Sequence, residues 1–482
     1  MNQTPLWKSP TFLGFVVFAG WCCFYRLGDL PVRLWDESRQ AMNVLEMIQS
    51  GNWLYSTFNG APDFYNTKPI LLIWLQSLSA LLFGFSEWSL RLPTALAGMA
   101  TALLIYGFLR RETKNEWTAA LAGLSLMCAP GWIDEHVVRS GDYDALLCLF
   151  LTASWISFYR FDLNGSKRAA LAFTVFTFLA LFTKSTAGLM LLPGLFLWGL
   201  FSRNIWNMLR IGAVWRTAAV MVLLLGSWYA AHEYYTPGYL NTAWNNEVVS
   251  RFLHPNEGHE GPWYFYLRQL ALTDFPYWPP ALAGFVASLW LLRSRLAAFV
   301  AWLLIAFLLP LSMSATKIEW YAAPALPMLA VGFGMLLAPA TVRTVRIGIF
   351  SAGIIAIAAI FSQTTLQRLK DPIELRSPGP EDELSLYLQG RHPSLAVDST
   401  FRVLTADYSP TVMLYTRWPG RHNGVRTIDW KQLDSGNRVI AWHAVQLDSL
   451  KAWYGYQLIQ QAGHLHKLQI TGRNRTTLAP LK

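Results

Sequence analysis

Charge is scarce in this sequence. Asp, Glu, Lys and Arg make up only 14% of 482 residues, against 53% hydrophobic and 15% aromatic. No soluble domain of this length buries so much apolar surface, so a water-soluble enzyme is excluded and a multispanning membrane protein is implied. Cysteine is rarer still. Cys22, Cys23, Cys128 and Cys148 lie in or beside apolar stretches without metal-ligand spacing, which excludes a disulfide framework. The formal net charge of +10 comes without a dense Lys/Arg run, so nucleic acid is not an expected partner and the lipid bilayer is. No A-x-A-like cleavage site follows the apolar run Phe12 to Tyr25, which therefore reads as an uncleaved first helix. Internal repeats are also missing, and with them the inverted halves of a typical secondary transporter.

Apolar runs near residues 10–27, 88–109, 117–133, 144–160, 169–184, 186–201, 215–232, 272–292, 296–312, 319–338 and 347–363 predict about 11 to 13 transmembrane helices. Basic clusters recur at every second gap: Arg110, Arg111 and Lys114; Arg160, Lys167 and Arg168; Arg203, Arg210 and Arg216; Arg293 and Arg295; Arg343 and Arg346. With Lys8 they mark the cytoplasmic side, and the acid-rich gaps face outward. Ile70 to Phe83, about 21 Å as a helix, falls short of the ~30 Å hydrocarbon core and reads as a helix lying in the outer interface or dipping in from that side. A second interfacial helix precedes it, because Ala41, Val44, Leu45 and Ile48 recur at helical spacing before Gly51.

The expected organisation is a membrane domain over residues 1–366, with a built first outer loop at 28–87, and a small soluble α/β domain over 367–482. Asp371-Pro372 and Ser377-Pro378-Gly379-Pro380 punctuate the boundary. Within the second domain, 381–388 reads as helix, and 402–405, 438–442 and 465–470 as strands. The N-terminus is expected in the cytoplasm and the C-terminal domain outside, so the fold class is mainly α, polytopic, with this α/β appendage.

Ionised side chains beside a bilayer are costly to place, which draws attention to Trp35-Asp36-Glu37-Ser38-Arg39 in the first outer loop. A carboxylate there suits proton abstraction from an attacking hydroxyl, or the holding of a metal ion that does so, or it simply caps the helix that follows; spacing weighs the functional reading and the cap equally. Asp142 and Asp144, preceded by Arg139, form a second acidic pair with the same capping alternative. Lys68, Arg91, Lys184, Arg251 and Lys317 lie on the outer side against the charge rule, with snorkelling the first explanation for Arg91. Acids beside several bases suit transfer from a phosphate-linked donor, the cations stabilising the departing phosphate. His254, Glu257 and His259 offer metal ligands, but Pro255 and Gly258 interrupt them and ordinary loop histidines are the stronger reading. The residues identify no cofactor. The aromatic run Trp263-Tyr264-Phe265-Tyr266 suits an interfacial anchor or a sugar-stacking surface.

The ordered set Trp35-Asp36-Glu37-Ser38-Arg39, Gly51-Asn52-Trp53, Asn59-Gly60, Lys68-Pro69, Arg91-Leu92-Pro93 and Arg139 with Asp144-Ala145-Leu146-Leu147 resembles the opening module of the dolichyl-phosphate-mannose protein mannosyltransferase family. Its bacterial branch includes the lipid A aminoarabinose transferases. Phe182-Thr183-Lys184, Arg251-Phe252, Pro262-Trp263-Tyr264 and Lys317 with Tyr321 and Pro324 continue the pattern, so the resemblance spans roughly residues 30 to 330. It implies a GT-C glycosyltransferase that uses a polyprenyl-phosphate sugar outside the cytoplasmic membrane, usually with inversion. It further implies Asp36 as base and Asp144 as the second-loop aspartate. Glu37, Arg39, Lys68, Arg139, Asp142, Lys184, Arg251, Lys317 and Tyr321 are the expected substrate-binding residues. In many relatives an acid precedes the Lys-Pro pair and is associated with metal in the aminoarabinose transferases. Thr67 stands there in this chain, so the resemblance does not carry a metal site over. The expected acceptor is lipid A or another envelope glycolipid, with a secreted protein as the alternative. A flippase of lipid-linked sugar and a sensor built on the C-terminal domain are the rivals from other classes.

Overall fold

The computed structural model describes residues 5–33, 36–133, 136–249, 258–340, 343–366, 379–405, 409–419 and 424–474. Its first helix, α1 (Pro10–Phe24), starts where Ser9 accepts the Phe12 amide and Pro10 occupies the first turn. The first loop then builds α2 (Asp36–Ser50), the hairpin β1 (Thr57–Phe58) with β2 (Ala61–Pro62), and α3 (Leu71–Phe83). The bundle follows as α4 (Glu87–Thr113), α5 (Glu116–Met127), α6 (Asp144–Asn164), α7 (Lys167–Lys184), α8 (Leu192–Phe201), α9 (Gly212–Tyr235), α10 (Trp278–Leu292), α11 (Arg295–Met313), α12 (Ala325–Gly334) and α13 (Arg343–Ile360).

Local signals explain the sharp turns between these helices. Gly165 takes φ +63° to end α6, and Ser166 immediately caps α7 by accepting the Ala169 amide. Ser294 does the same for α11 after α10 stops at Arg293. By length and composition, six helical segments among the described residues are able to cross a membrane: Glu87–Thr113, Asp144–Asn164, Lys167–Leu189, Gly212–Tyr235, Arg295–Met313 and Thr344–Gln363. Shorter apolar helices accompany them, and the chain is a multi-pass membrane protein. The four cysteines are all buried and unpaired.

The C-terminal residues form α14 (Pro380–Leu388), α15 (Pro410–Thr416) and α16 (Ala444–Trp453) around a mixed five-stranded sheet of order β4-β3-β5-β7-β6. Its strands are β3 (Arg402–Thr405), β4 (Thr427–Asp429), β5 (Arg438–Ala441), β6 (Tyr454–Ala462) and β7 (Leu465–Arg473). β3 runs parallel to β4 and β5, while β7 runs antiparallel to β5 and β6. This module does not stand apart. Ala41, Val44 and Leu45 of α2 share one hydrophobic cluster with Leu384, Val412, Leu414 and Tyr415. Tyr415 Oη also accepts the Val32 amide at 2.7 Å, and Arg417 donates to Asn59 at 2.6 Å. The apolar face of α2, expected to lie in the membrane interface, is thus covered by protein. Its polar face is buried too, against the loop that carries Asp63 and the loop that precedes α6.

Candidate active site

α2 delivers its side chains at helical spacing, and each meets a different partner. Glu37, second in the helix, is 4% exposed and grips Arg91 of α4 through Nε–Oε1 at 2.7 Å and a second contact at 2.9 Å. It also accepts the Gly141 amide at 2.7 Å. A Cβ at Gly141 would approach Gln76 Nε2 to 2.9 Å and the Glu37 side chain to 3.4 Å, so a larger residue there would have to displace the Gln76 amide. Burial pushes the Glu37 carboxyl up, but the charge and hydrogen bonds of Arg91 outweigh it and hold its pKa below the ordinary value. Arg91 does not snorkel, contrary to the sequence expectation. It is 2% exposed and donates also to the Leu27, Leu30 and Pro31 carbonyls, because Glu37 offers a buried counter-charge.

Arg39 is committed elsewhere, with Nη2 2.6 Å from Asp63 Oδ1 and its guanidinium between the Phe58 and Tyr65 rings. Arg139 donates to the Cys22 and Arg26 carbonyls and so closes the end of α1. Lys317 donates to the Ser312 and Ser314 carbonyls at 2.7 and 2.6 Å, at the end of α11. Like Glu37, these three residues, expected to contact substrate, are held by the protein's own framework. Arg251, His254 and Glu257 lie outside the described residues, and His259 is exposed with its carbonyl accepting the Lys317 amide.

What remains converges. Asp36, His136 and Asp142 bring ligand-capable atoms within 4.8 Å of one another. His136 Nδ1 lies 2.8 Å from Asp142 Oδ2, and its ring stacks on Trp320 with centroids 3.5 Å apart. The other Asp142 oxygen accepts from Gln40, one turn along α2 from Asp36. Burial raises the Asp142 carboxyl, yet the hydrogen bond and charge of His136, with the charge of Lys184, hold it well below the carboxylate range. Burial opposes charge on His136, but Asp142, aided by Asp36 and Asp144, holds its pKa above the ordinary histidine value. Two carboxylates and an imidazole are a donor set that suits a borderline divalent cation. This trio differs from the His254, Glu257 and His259 set suggested by the sequence.

Beside the trio, Lys184 at the end of α7 meets both Asp144 oxygens at 2.7 Å and lies 5.3 Å over the Tyr321 ring. Asp144 and Lys184 line a cavity of about 60 Å³ with Thr316 and Tyr321. Lys68 is half-buried, 5.4 Å over the ring of Tyr143, the residue between the two aspartates. Among the described residues it makes no hydrogen bond or ion pair. The capping alternative fails for α6, whose first residue is Asp144 and whose preceding Tyr143 supplies no side-chain cap.

Two residues of this site escaped sequence reading. His136 follows Asp134 and Glu135 and carries no motif of its own. Glu247 was legible only as one more outward acid; it is 5% exposed, lines the same cavity, and accepts from the Thr67 hydroxyl at 3.0 Å. A carboxylate thus reaches position 67 from another loop.

Residues 67–229 match the dolichyl-phosphate-mannose-protein mannosyltransferase family. An undecaprenyl phosphate-alpha-4-amino-4-deoxy-L-arabinose arabinosyl transferase of Aeromonas salmonicida is 30% identical over 342 residues, covering 67% of this chain and 59% of the relative. A second enzyme of that description, from Pseudomonas fluorescens, is 29% identical over 69% of this chain and 56% of its own length. The chain therefore spans less than two thirds of the length of these relatives. Its fold is similar to the crystal structure of ArnT from Cupriavidus metallidurans bound to undecaprenyl phosphate, with a TM-score of 0.72 and 17% identity over 98% of this chain and 99% of that one. By sequence over residues 67–229 and by fold over nearly its whole length, the chain is thus similar to this family and to the ArnT structure.

Proposed function

We propose that the chain is a membrane glycosyltransferase that moves a sugar from undecaprenyl phosphate to lipid A or another envelope glycolipid, on the outer side of the cytoplasmic membrane. The observation that carries this reading is the convergence of Asp36 with His136 and Asp142 beside the Asp144 and Lys184 cavity. The charge alternation supports a cytoplasmic N-terminus, about 11 to 13 spans, and a membrane domain through residue 366 followed by an outer α/β module.

The donor's phosphate meets Lys68, whose ammonium has no protein acceptor among the described residues, and Lys184, which exchanges part of its Asp144 pairing for phosphate oxygens. Asp36 takes the proton as the acceptor oxygen attacks the anomeric carbon from the face opposite the phosphate, so that the bond inverts and undecaprenyl phosphate leaves. His136 holds Asp142 ionised, which keeps a negative field beside the oxocarbenium-like carbon. Asp36, His136 and Asp142 would hold a divalent cation, which supplies added positive charge toward phosphate oxygens when bound.

The test is release of undecaprenyl phosphate from purified lipid-linked sugar by Asp36→Asn. Turnover should fall by about 10²-fold or more with the melting temperature unchanged. Near-normal turnover refutes the assignment of the base. Donor scrambled across reconstituted vesicles without release of undecaprenyl phosphate refutes the transferase.

A further inference from the structure

At the end of the bundle opposite the Asp36 cluster lies a second cavity, of about 360 Å³. Along α4 it is ~28 Å from Arg91, and along α6 it is ~24 Å from Asp144, close to the thickness of the hydrocarbon core. Leu103, Leu104 and Phe108 form its apolar wall, and Arg110, Arg111 and Arg160 its rim. Arg110 is paired with Glu116 at 3.5 Å. Arg111 and Arg160 make no ion pair or hydrogen bond among the described residues. The Nε of Arg160 is buried without an acceptor, and its guanidinium lies 6.0 Å over the Phe108 ring.

Arg111 and Arg160 line the cavity without a carboxylate partner among the described residues, so an occupant supplying oxygen acceptors would meet charged N–H donors there. Glu112 is close enough for its charge to reach both Arg111 and Arg160, but it hydrogen-bonds neither, and with Glu116 it leaves two acids against three arginines. Phosphate oxygens fit the guanidinium fork. The leucine wall beneath the rim runs along the membrane-spanning part of α4, where an acyl chain lies. Gly107 keeps this wall open: a Cβ placed on it meets no atom within 4 Å.

We propose that this pocket binds the phosphate head group of an anionic membrane phospholipid, with the start of an acyl chain against Leu103 and Leu104. Basic pockets between helices at the cytoplasmic end of a bundle recognise such head groups. The site is separate from the one that takes the sugar donor, and its occupancy does not depend on Asp36.

The full-length protein in detergent is titrated with phosphatidylglycerol and with phosphatidylcholine, and bound lipid is counted by native mass spectrometry. Phosphatidylglycerol should be retained about fivefold or more tightly than phosphatidylcholine. Arg111→Ala and Arg160→Gln should each reduce that preference, and Gly107→Leu, which sets a bulky side chain among the cavity-lining residues and leaves both arginines, should reduce it as well. Arg111 is exposed, so its variant folds and decides the matter even if Arg160→Gln does not. Equal retention of the two lipids, or a preference untouched by Arg111→Ala and Gly107→Leu, overturns the proposal. Inorganic phosphate that displaces the lipid at equal concentration overturns it as well, because the pocket would then select a small anion.

Discussion

Asp36 and Glu37 are neighbours in the chain and part company in space. One turns toward His136 and Asp142, while the other is locked to Arg91 and the Gly141 amide. A helix rotates successive residues by about 100°, so adjacent acids cannot share a partner set. The same logic separates Arg39 from its neighbours and sends it to Asp63, where pH reports on the pair. Burial raises the Asp63 carboxyl, but the hydrogen bonds and charge of Arg39, with Asn43 and the Asn66 amide, hold its pKa below the ordinary value. A depressed carboxylate contributes stability that is complete above the unfolded pKa of about 4 and is lost as pH falls through the lower folded value. Asp63→Asn should therefore lower the melting temperature at pH 7, by a loss of roughly 3 kcal/mol for a buried arginine that loses the Asp63 carboxylate. The gap from the wild type should shrink below about pH 4. A gap that stays constant with pH would assign the loss to packing instead.

Among the elements, α1 is completed by a residue more than a hundred positions away. Its last carbonyls are satisfied by the Arg139 guanidinium, which accounts for an arginine beside the second acidic pair without any substrate. Arg139→Gln should destabilise the protein by about 1–3 kcal/mol in thermal melts while leaving the donor KM of the folded enzyme unchanged. A raised KM would return Arg139 to the site. Glu247 gives the opposite expectation. It lines the cavity with Asp144 and Lys184, so Glu247→Gln should change donor KM or kcat in a protein that melts normally. Unchanged kinetics would reduce it to a tether for Thr67, whose hydroxyl donates to its carboxylate.

For the whole molecule, the decisive feature is the cluster shared by α2 and the C-terminal module. Val44 and Leu45 pack with Val412 and Leu414, and Tyr415 reaches back to the Val32 amide just ahead of α2. The module backs the element that carries Asp36. Ending the chain after residue 366 should expose this apolar face and give a protein that aggregates on size-exclusion chromatography. A monodisperse truncated protein with wild-type turnover would show that the first loop stands alone.

The sequence by itself determined the membrane class, the approximate positions of the long apolar helices, and the two acidic loops, because hydropathy and charge alternation are local signals, whereas the short helices at 410–416 and 444–453 carried no such signal. It also marked Asp36, Asp142, Asp144 and Lys184 as residues out of place beside a bilayer. Only the tertiary structure decided which charges face each other. Glu37 found Arg91, Arg39 found Asp63, Asp144 found Lys184, and His136 joined Asp36 from a loop with no motif. Each such pairing depends on where two distant segments pack, and a buried charge takes the partner that packing supplies rather than the one its sequence spacing suggests.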